Sequence, residues 1–208
     1  IATRSGESRW ITGPEARRVV HRLRGRADAV VVGSGTASAD DPELFARRGE
    51  RIVHRPVRVV LDTRLRVPGR ARLFREDPDR TWVLCARSAP ARRRLALERL
   101  GVRVLPVALR GKRLDLGRSL QRLAREGLRD VLVEGGGVLA AGLLGADLVD
   151  ELHWFVAPRF IGGDGRPALG PMGIDALASA GTLREVEVRR LGSDVHVRGA
   201  VGATGEDG

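Results

Sequence analysis

Short apolar, β-branched runs recur along this chain, each followed by a stretch whose apolar residues return at helical spacing. That alternation constrains the fold more than any other feature. The runs at 29–32, 57–61, 82–86, 102–105, 131–133 and 151–157 have the length and composition of strands. Between them, 14–24, 89–100, 114–126 and 138–144 carry helix-period patterning, with Pro14 suited to a first helical turn. Strands alternating with helices predict an α/β architecture with a central mixed, mostly parallel sheet and flanking helices. The runs at 183–188 and 194–201 read as a closing antiparallel pair. No internal repeat and no Ser/Gly-rich linker divides the chain, so 1–201 is expected to form one domain and 202–208 a disordered tail. The stretch 47–55 carries the weakest pattern.

A formal charge of +11 raises nucleic acid as a partner. Of the 37 basic residues, however, only Lys112 is a lysine, a bias that looks like a base-composition effect across a genome. The arginines are scattered, with Arg92, Arg93 and Arg94 the longest run, and there is no tyrosine to stack on bases. A small anionic ligand suits this charge better than nucleic acid. No apolar run approaches the ~18–20 residues of a membrane span, and nothing resembles a signal peptide. Cys85 stands alone, which excludes an internal disulfide or a Cys-based zinc cluster and suits a reducing cytosol. His21, His54, His153 and His196 lack metal-ligand spacing, so no metal is expected. The chain opens on Ile1 and its only methionine is Met172, so it is expected to be a piece of a longer protein.

Three segments carry chemistry. In Gly33-Ser34-Gly35-Thr36, a strand ending in Gly-x-Gly lets backbone approach a ligand, although Ser38 stands where a dinucleotide fingerprint has its third glycine. Asp40 and Asp41, just beyond, are either an acid/base or ribose-hydroxyl pair, or a turn capping local amides; spacing alone favours the turn. The second segment is Glu134 followed by Gly135, Gly136 and Gly137 and a helical pattern, an arrangement suited to phosphate or pyrophosphate. Glu134 would accept from a sugar hydroxyl or steer a proton. The alternative is a tight turn, and three glycines in a row favour function because they destabilise unless backbone approach is required. In the third, Asp62-Thr63-Arg64-Leu65-Arg66, a hydroxyl with arginines would read a 2′-phosphate and favour NADPH; surface ion pairs are an equal reading. Trp10 could stack on a planar ring but reads more readily as a hydrophobic staple. His153 and Trp154 read as core or interface, and Cys85 as a buried, inert thiol. The absence of G-x-S-x-G weakens a hydrolase reading.

Taken together, GESRWITGPEARR (6–18), HRLR (21–24), VGSGTASADDPEL (32–44), RVVLDTRLRVP (58–68), VLVEGGGVLAAGLL (131–144), LVDELHWFVAPRFIGGDGRP (148–167) and LGSDV (191–195) resemble the C-terminal reductase domain of the bacterial riboflavin-biosynthesis deaminase/reductase. The resemblance implies a dihydrofolate-reductase-like three-layer fold. It implies NADPH-dependent reduction of the ribosyl group of 5-amino-6-(5-phosphoribosylamino)uracil to a ribityl group, with hydride passing to the anomeric carbon of an opened imine. By the same resemblance Ser8, Arg24, Leu44, Arg47 and Glu134 match substrate contacts. Trp10, Thr36, Asp40, Thr63, Gly136, Gly137, Val138, Leu139, Ala140, Ala141 and Gly142 match NADPH contacts, and Asp40 and Glu134 are the catalytic candidates. A cytoplasmic homodimer is implied, with 151–160 as a candidate interface and a zinc deaminase domain fused or separate. The family carries a K-x-A-x-S-x-D-G-R strand just before the position of Ile1, so this chain by itself is expected to be incompetent. The competing readings are a reductase of another pteridine- or folate-like substrate and a non-catalytic NADPH-binding fragment.

Overall fold

In chain order the elements begin with α1 (Pro14–Arg24), β1 (Ala29–Gly33), α2 (Ser34–Asp40), β2 (Ala46–Arg48), β3 (Arg51–His54) and β4 (Val57–Leu61). They continue with α3 (Arg72–Arg75), β5 (Thr81–Ala86), α4 (Ala91–Arg99), β6 (Arg103–Val107), β7 (Leu109–Arg110), β8 (Arg113–Leu114) and α5 (Leu116–Arg125). The last are β9 (Val131–Val133), α6 (Gly137–Leu144), β10 (Glu151–Val156), β11 (Leu183–Leu191) and β12 (Asp194–Val201). This computed structural model describes residues 2–202, so the expected tail lies outside it except for Gly202, whose N–H donates to the Thr182 carbonyl. No helix among the described residues is long and apolar enough to cross a membrane.

The chain divides into two units, residues 21–136 and residues 1–20 with 137–208. The first is built on an all-parallel sheet in the order β6-β5-β4-β1-β9. Every residue of β5 is buried, as are Ala29–Val32 of β1, because a parallel sheet is covered on both faces and selects unbroken apolar runs. Val30, Val32, Val60, Val83, Leu73 and Phe74 form the centre of the core. The order reverses at β1: β4, β5 and β6 lie to one side and β9 returns on the other. All five strands end at one edge, where such sheets bind ligands.

The second unit contains an antiparallel sheet in the order β10-β12-β11, so the closing pair has β10 as a third strand and is not an edge of the parallel sheet. Two segments of the first unit differ from expectation. Residues 34–40, where no helix is expected, form α2, and the weak stretch 47–55 falls largely in the β2–β3 hairpin.

Two charged residues, Arg58 and Asp62, are buried in the first unit, and Arg58 is the larger. Arg58 on β4 has no exposed surface, and its guanidinium lies 4.5 Å from the centre of the Phe45 ring. Its Nη2 donates to the carbonyls of Leu73 (3.2 Å), Asp77 (2.8 Å) and Glu76, and to Thr81 Oγ1 (2.7 Å). Thr81 Oγ1 passes its own proton to the Leu73 carbonyl at 2.6 Å. Burial pulls the Arg58 pKa down to about 10, against the opposing pull of Asp77 and Glu76, so the group stays charged at neutral pH. It therefore satisfies the carbonyls that close α3 and the turn after it.

In the second unit His153 Nδ1 lies 3.0 Å from His196 Nε2, with the rings stacked and Phe155 stacked on His196 in turn. Burial, more than any other cause, holds both histidines below their ordinary value; Arg198 works in the same direction and Glu151 against it.

Two outcomes follow. Arg58→Met should cost about 3 kcal/mol or more in urea unfolding, since it strands several buried carbonyls. With both histidine pKa values depressed on folding, the unfolded chain takes up protons first as pH falls through 6.5, so stability is lost toward acid. Thermal unfolding at about pH 5.5 should lie below that at about pH 7.5, and His196→Phe should flatten that slope.

Candidate functional site

At the carboxyl edge of the parallel sheet, the Glu134 N–H donates to the Val31 carbonyl at 2.9 Å, carrying the β1–β9 ladder one residue past β9. The backbone then turns through Gly135 and Gly136, at φ of 63° and 82°, a region open to glycine. A methyl group at Gly135 would lie 3.4 Å from Thr36 Cγ2, so this turn runs against α2.

Glu134 is held by Arg24 in a two-pronged ion pair, Nε to Oε1 and Nη2 to Oε2, both at 2.6 Å. The two side chains are only 16% and 19% exposed, which makes this the stronger kind of pair. Arg24 Nη1 also donates to the Phe45 carbonyl at 3.2 Å. A second fork stands nearby in sequence. Arg47 Nε donates to Glu43 Oε2 at 2.7 Å, its Nη2 to Glu43 Oε1, and its Nη1 to the Glu50 carbonyl. Hydrogen bonding to Arg47 lowers the Glu43 carboxyl pKa, and the same bond raises that of Arg47.

These forks amend the sequence reading of both arginines. Each cation is already matched by a carboxylate, so what remains for a ligand is directional N–H groups rather than free charge. Of a guanidinium's five N–H groups, three are engaged on each arginine and two are left. Sequence reasoning missed Glu43 and also His21, whose Nδ1 accepts the Arg47 N–H at 3.1 Å. The signal for His21 was its three-residue spacing from Arg24 on one helix face.

The other positions of this unit sort clearly. Leu44 has φ of 63° and is 2% exposed as a whole residue, so it belongs to the core. Asp40 ends α2, while Asp41 Oδ1 accepts the N–H of Arg72, thirty-one residues away, at 2.8 Å. Thr36 and Thr63 are half-buried. Asp62 is buried and accepts the Val67 N–H at 2.8 Å, which replaces the surface ion-pair reading with a loop-fixing carboxylate. Arg64 and Arg66 are exposed beside Thr63.

Within the second unit, Trp10 is 65% exposed, and the Arg17 guanidinium lies 4.5 Å from its ring centre. It is a cation–π platform rather than a hydrophobic staple. Trp10, Arg17, Arg159, Ser193 and Asp194 line a cavity of about 450 Å³. Ser8 is half-buried in the preceding loop. On α6, Val138 is exposed, Leu139, Ala140 and Gly142 are half-buried, and Ala141 is buried, so the Ala141 side chain is not open to a ligand.

Comparison with known proteins decides the relationship. Residues 1–197 match the family model described as RibD C-terminal domain. The chain belongs to that family. It is 34% identical to the riboflavin biosynthesis protein RibD of Bacillus amyloliquefaciens, over 100% of this chain and 55% of that protein. It is 37% identical to the 2,5-diamino-6-ribosylamino-4(3H)-pyrimidinone 5′-phosphate reductase of Methanothermobacter thermautotrophicus, over 95% of this chain and 90% of that protein. Among solved structures, Acinetobacter baumannii RibD superimposes with a TM-score of 0.82 at 31% identity, covering 97% of this chain and 54% of that one. The chain thus spans about half the length of the RibD proteins it matches. The resemblance read from its motifs and the α/β fold class are both borne out.

With the family known, the glycines separate into two kinds. Methyl groups added at Gly33 and Gly35 would meet nothing within 4 Å, leaving bare backbone beside the sheet's carboxyl edge. At Gly137 an added methyl would lie 2.8 Å from the Pro167 carbonyl and 3.0 Å from that of Ala168, and the Gly170 N–H donates to the Gly137 carbonyl at 2.8 Å. Protein packing by itself is therefore enough to demand a glycine at 137. Gly137→Ala should destabilise the protein by about 1–3 kcal/mol. Gly35→Ala should leave urea stability within about 1 kcal/mol of the parent, alanine being the better helix former.

Proposed function

We propose that the protein to which this chain belongs catalyses the NADPH-dependent reduction of the ribosyl group of 5-amino-6-(5-phosphoribosylamino)uracil to the ribitylamino product in riboflavin biosynthesis. The observation that carries the reading is the coincidence of family membership with a carboxylate–guanidinium fork fixed at the sheet's carboxyl edge. The Methanothermobacter relative, which the chain matches over nearly its whole length, is named for reduction of a closely similar ribosylaminopyrimidine phosphate.

The residues fit both partners of the reaction. Each Glu134 oxygen keeps a lone pair beyond its bond to Arg24 and can accept from a ribose hydroxyl. The spare N–H groups of Arg24 and Arg47 suit phosphate oxygens without breaking either fork. The open backbone at Gly33 and Gly35, with the Thr36 hydroxyl, fits a dinucleotide that approaches the main chain closely. Thr63 with exposed Arg64 and Arg66 fits a 2′-phosphate, favouring NADPH over NADH. NADPH, when bound, supplies hydride to the anomeric carbon. Reduction of an opened imine also needs one proton at nitrogen. Glu134 is committed to its fork, so Asp40 at the end of α2 is the group we assign to that proton. Ser8 and Trp10 are assigned to substrate and cofactor on the resemblance alone.

We further assign a cytoplasmic homodimer. Trp154, Val197 and Val188 fall in one row across β10, β12 and β11, and Val156, Val186, Val188 and Val195 are exposed, an apolar sheet face suited to a second copy. A zinc deaminase, fused or separate, would supply the deaminated substrate.

The test is NADPH oxidation with the phosphoribosylamino-uracil made in situ, beside the 2-amino pyrimidinone as a competing substrate and NADH as control. Substrate-dependent oxidation should favour NADPH, and Asp40→Asn should lower kcat by about 10²-fold. Cofactor that binds and is never oxidised by either substrate would overturn the reading.

A further inference from the structure

We propose that His21 is a positioning residue of the substrate site, its Nδ1 lone pair anchoring the Arg47 peptide so that the Arg47–Glu43 fork is held in place beside the Arg24–Glu134 fork. The proposal rests on the substrate reading given above for Arg24, Arg47 and Glu134.

The geometry is a pair of stitches between one helix end and one strand. His21 and Arg24 are three residues apart on α1 and share a face. Phe45 and Arg47 are two apart on extended chain, so their backbone groups point the same way. Arg24 Nη1 reaches the Phe45 carbonyl, and the Arg47 N–H reaches His21 Nδ1. The second contact falls where the β2–β3 register shifts, between Ala46 and Arg47, a point at which a strand pair alone holds its residues least firmly. His21 steadies the strand there, and the Arg47 guanidinium, fixed by Glu43 and Glu50, inherits that position.

An imidazole can accept at Nδ1 only while that nitrogen is unprotonated, with the proton on Nε2. The surroundings favour that state. Burial is the largest influence lowering the His21 pKa; Arg24 and Arg47 act with it, and the Phe45 carbonyl and Glu134 act against it. Protonation converts the acceptor to a donor that faces the Arg47 N–H, so the anchor is lost as pH falls below the ordinary histidine range.

The experiment compares wild type, His21→Ala and His21→Asn, since the asparagine Oδ1 lies close to where Nδ1 was and can accept the same N–H. His21→Ala should raise KM for the phosphoribosylamino substrate about tenfold while leaving KM for NADPH within about twofold, and His21→Asn should recover most of the loss. Wild-type KM should climb more steeply toward acid than that of His21→Asn; substrate phosphate titrates equally in both and drops out of the comparison. Amide exchange at Arg47 should quicken in His21→Ala and stay slow in His21→Asn. An unchanged substrate KM in His21→Ala, no recovery in His21→Asn, or coincident pH profiles would overturn the proposal. A wild-type protein that never oxidises NADPH with this substrate removes the functional reading instead. The anchor is then judged by exchange alone, and an Arg47 amide equally protected in wild type and His21→Ala removes it too.

Discussion

The register of β1 against its two neighbours governs the rest of the first unit. Gly33 pairs with Leu61 on one side, and Val31 with Val133 on the other, so the loops after β1, β4 and β9 leave the sheet at one edge. The Glu134 amide bond to Val31 extends that ladder, and a slip of one residue would turn the side chains of β9 to the opposite face. The half-buried β9 takes its register from β1, which is buried on both faces over Ala29–Val32. The placement of a carboxylate at the edge thus follows from the register of the sheet.

From that edge the chemistry is assembled through forks rather than isolated charges. A lone arginine half-buried at 16–29% exposure would carry an uncompensated desolvation cost; Glu134 and Glu43 offset it and fix the planes of both guanidinium groups. The result is a locally neutral cluster with oriented donors. Such a cluster recognises an anion by geometry, and it does so less sensitively to salt than a bare cationic patch would.

Much of this was legible in the sequence, for identifiable reasons. The β-branched runs gave their strands because a two-sided buried strand needs nothing else, and residues 131–133 coincide with β9. Other parts were hidden. Residues 34–40 contain one glycine and two serines, poor helix formers, so α2 carries no helix signal in the sequence and is supported by tertiary packing that buries Ala37. The β2–β3 hairpin lacks apolar alternation, so it carried no strand signal. The three glycines after Glu134 read either as a ligand cradle or as a tight turn; Gly135 and Gly136 do make a turn, and Gly137 also meets residues some thirty positions later. Sequence spacing cannot separate those demands, because a close approach by protein and one by ligand select the same residue.

The buried guanidinium on β4 bears on how such a chain can drift over generations. Arg92 lies exposed on α4, where exchange for lysine would disturb little, although Arg93 and Arg94 beside it donate to the Leu65 and Arg87 carbonyls. At position 58 a lysine offers one compact ammonium in place of a planar fork and cannot reach the same spread of carbonyls. A lineage whose base composition swung back toward lysine codons would shed its surface arginines freely and keep this one. Position 58 would then record the requirement of the fold.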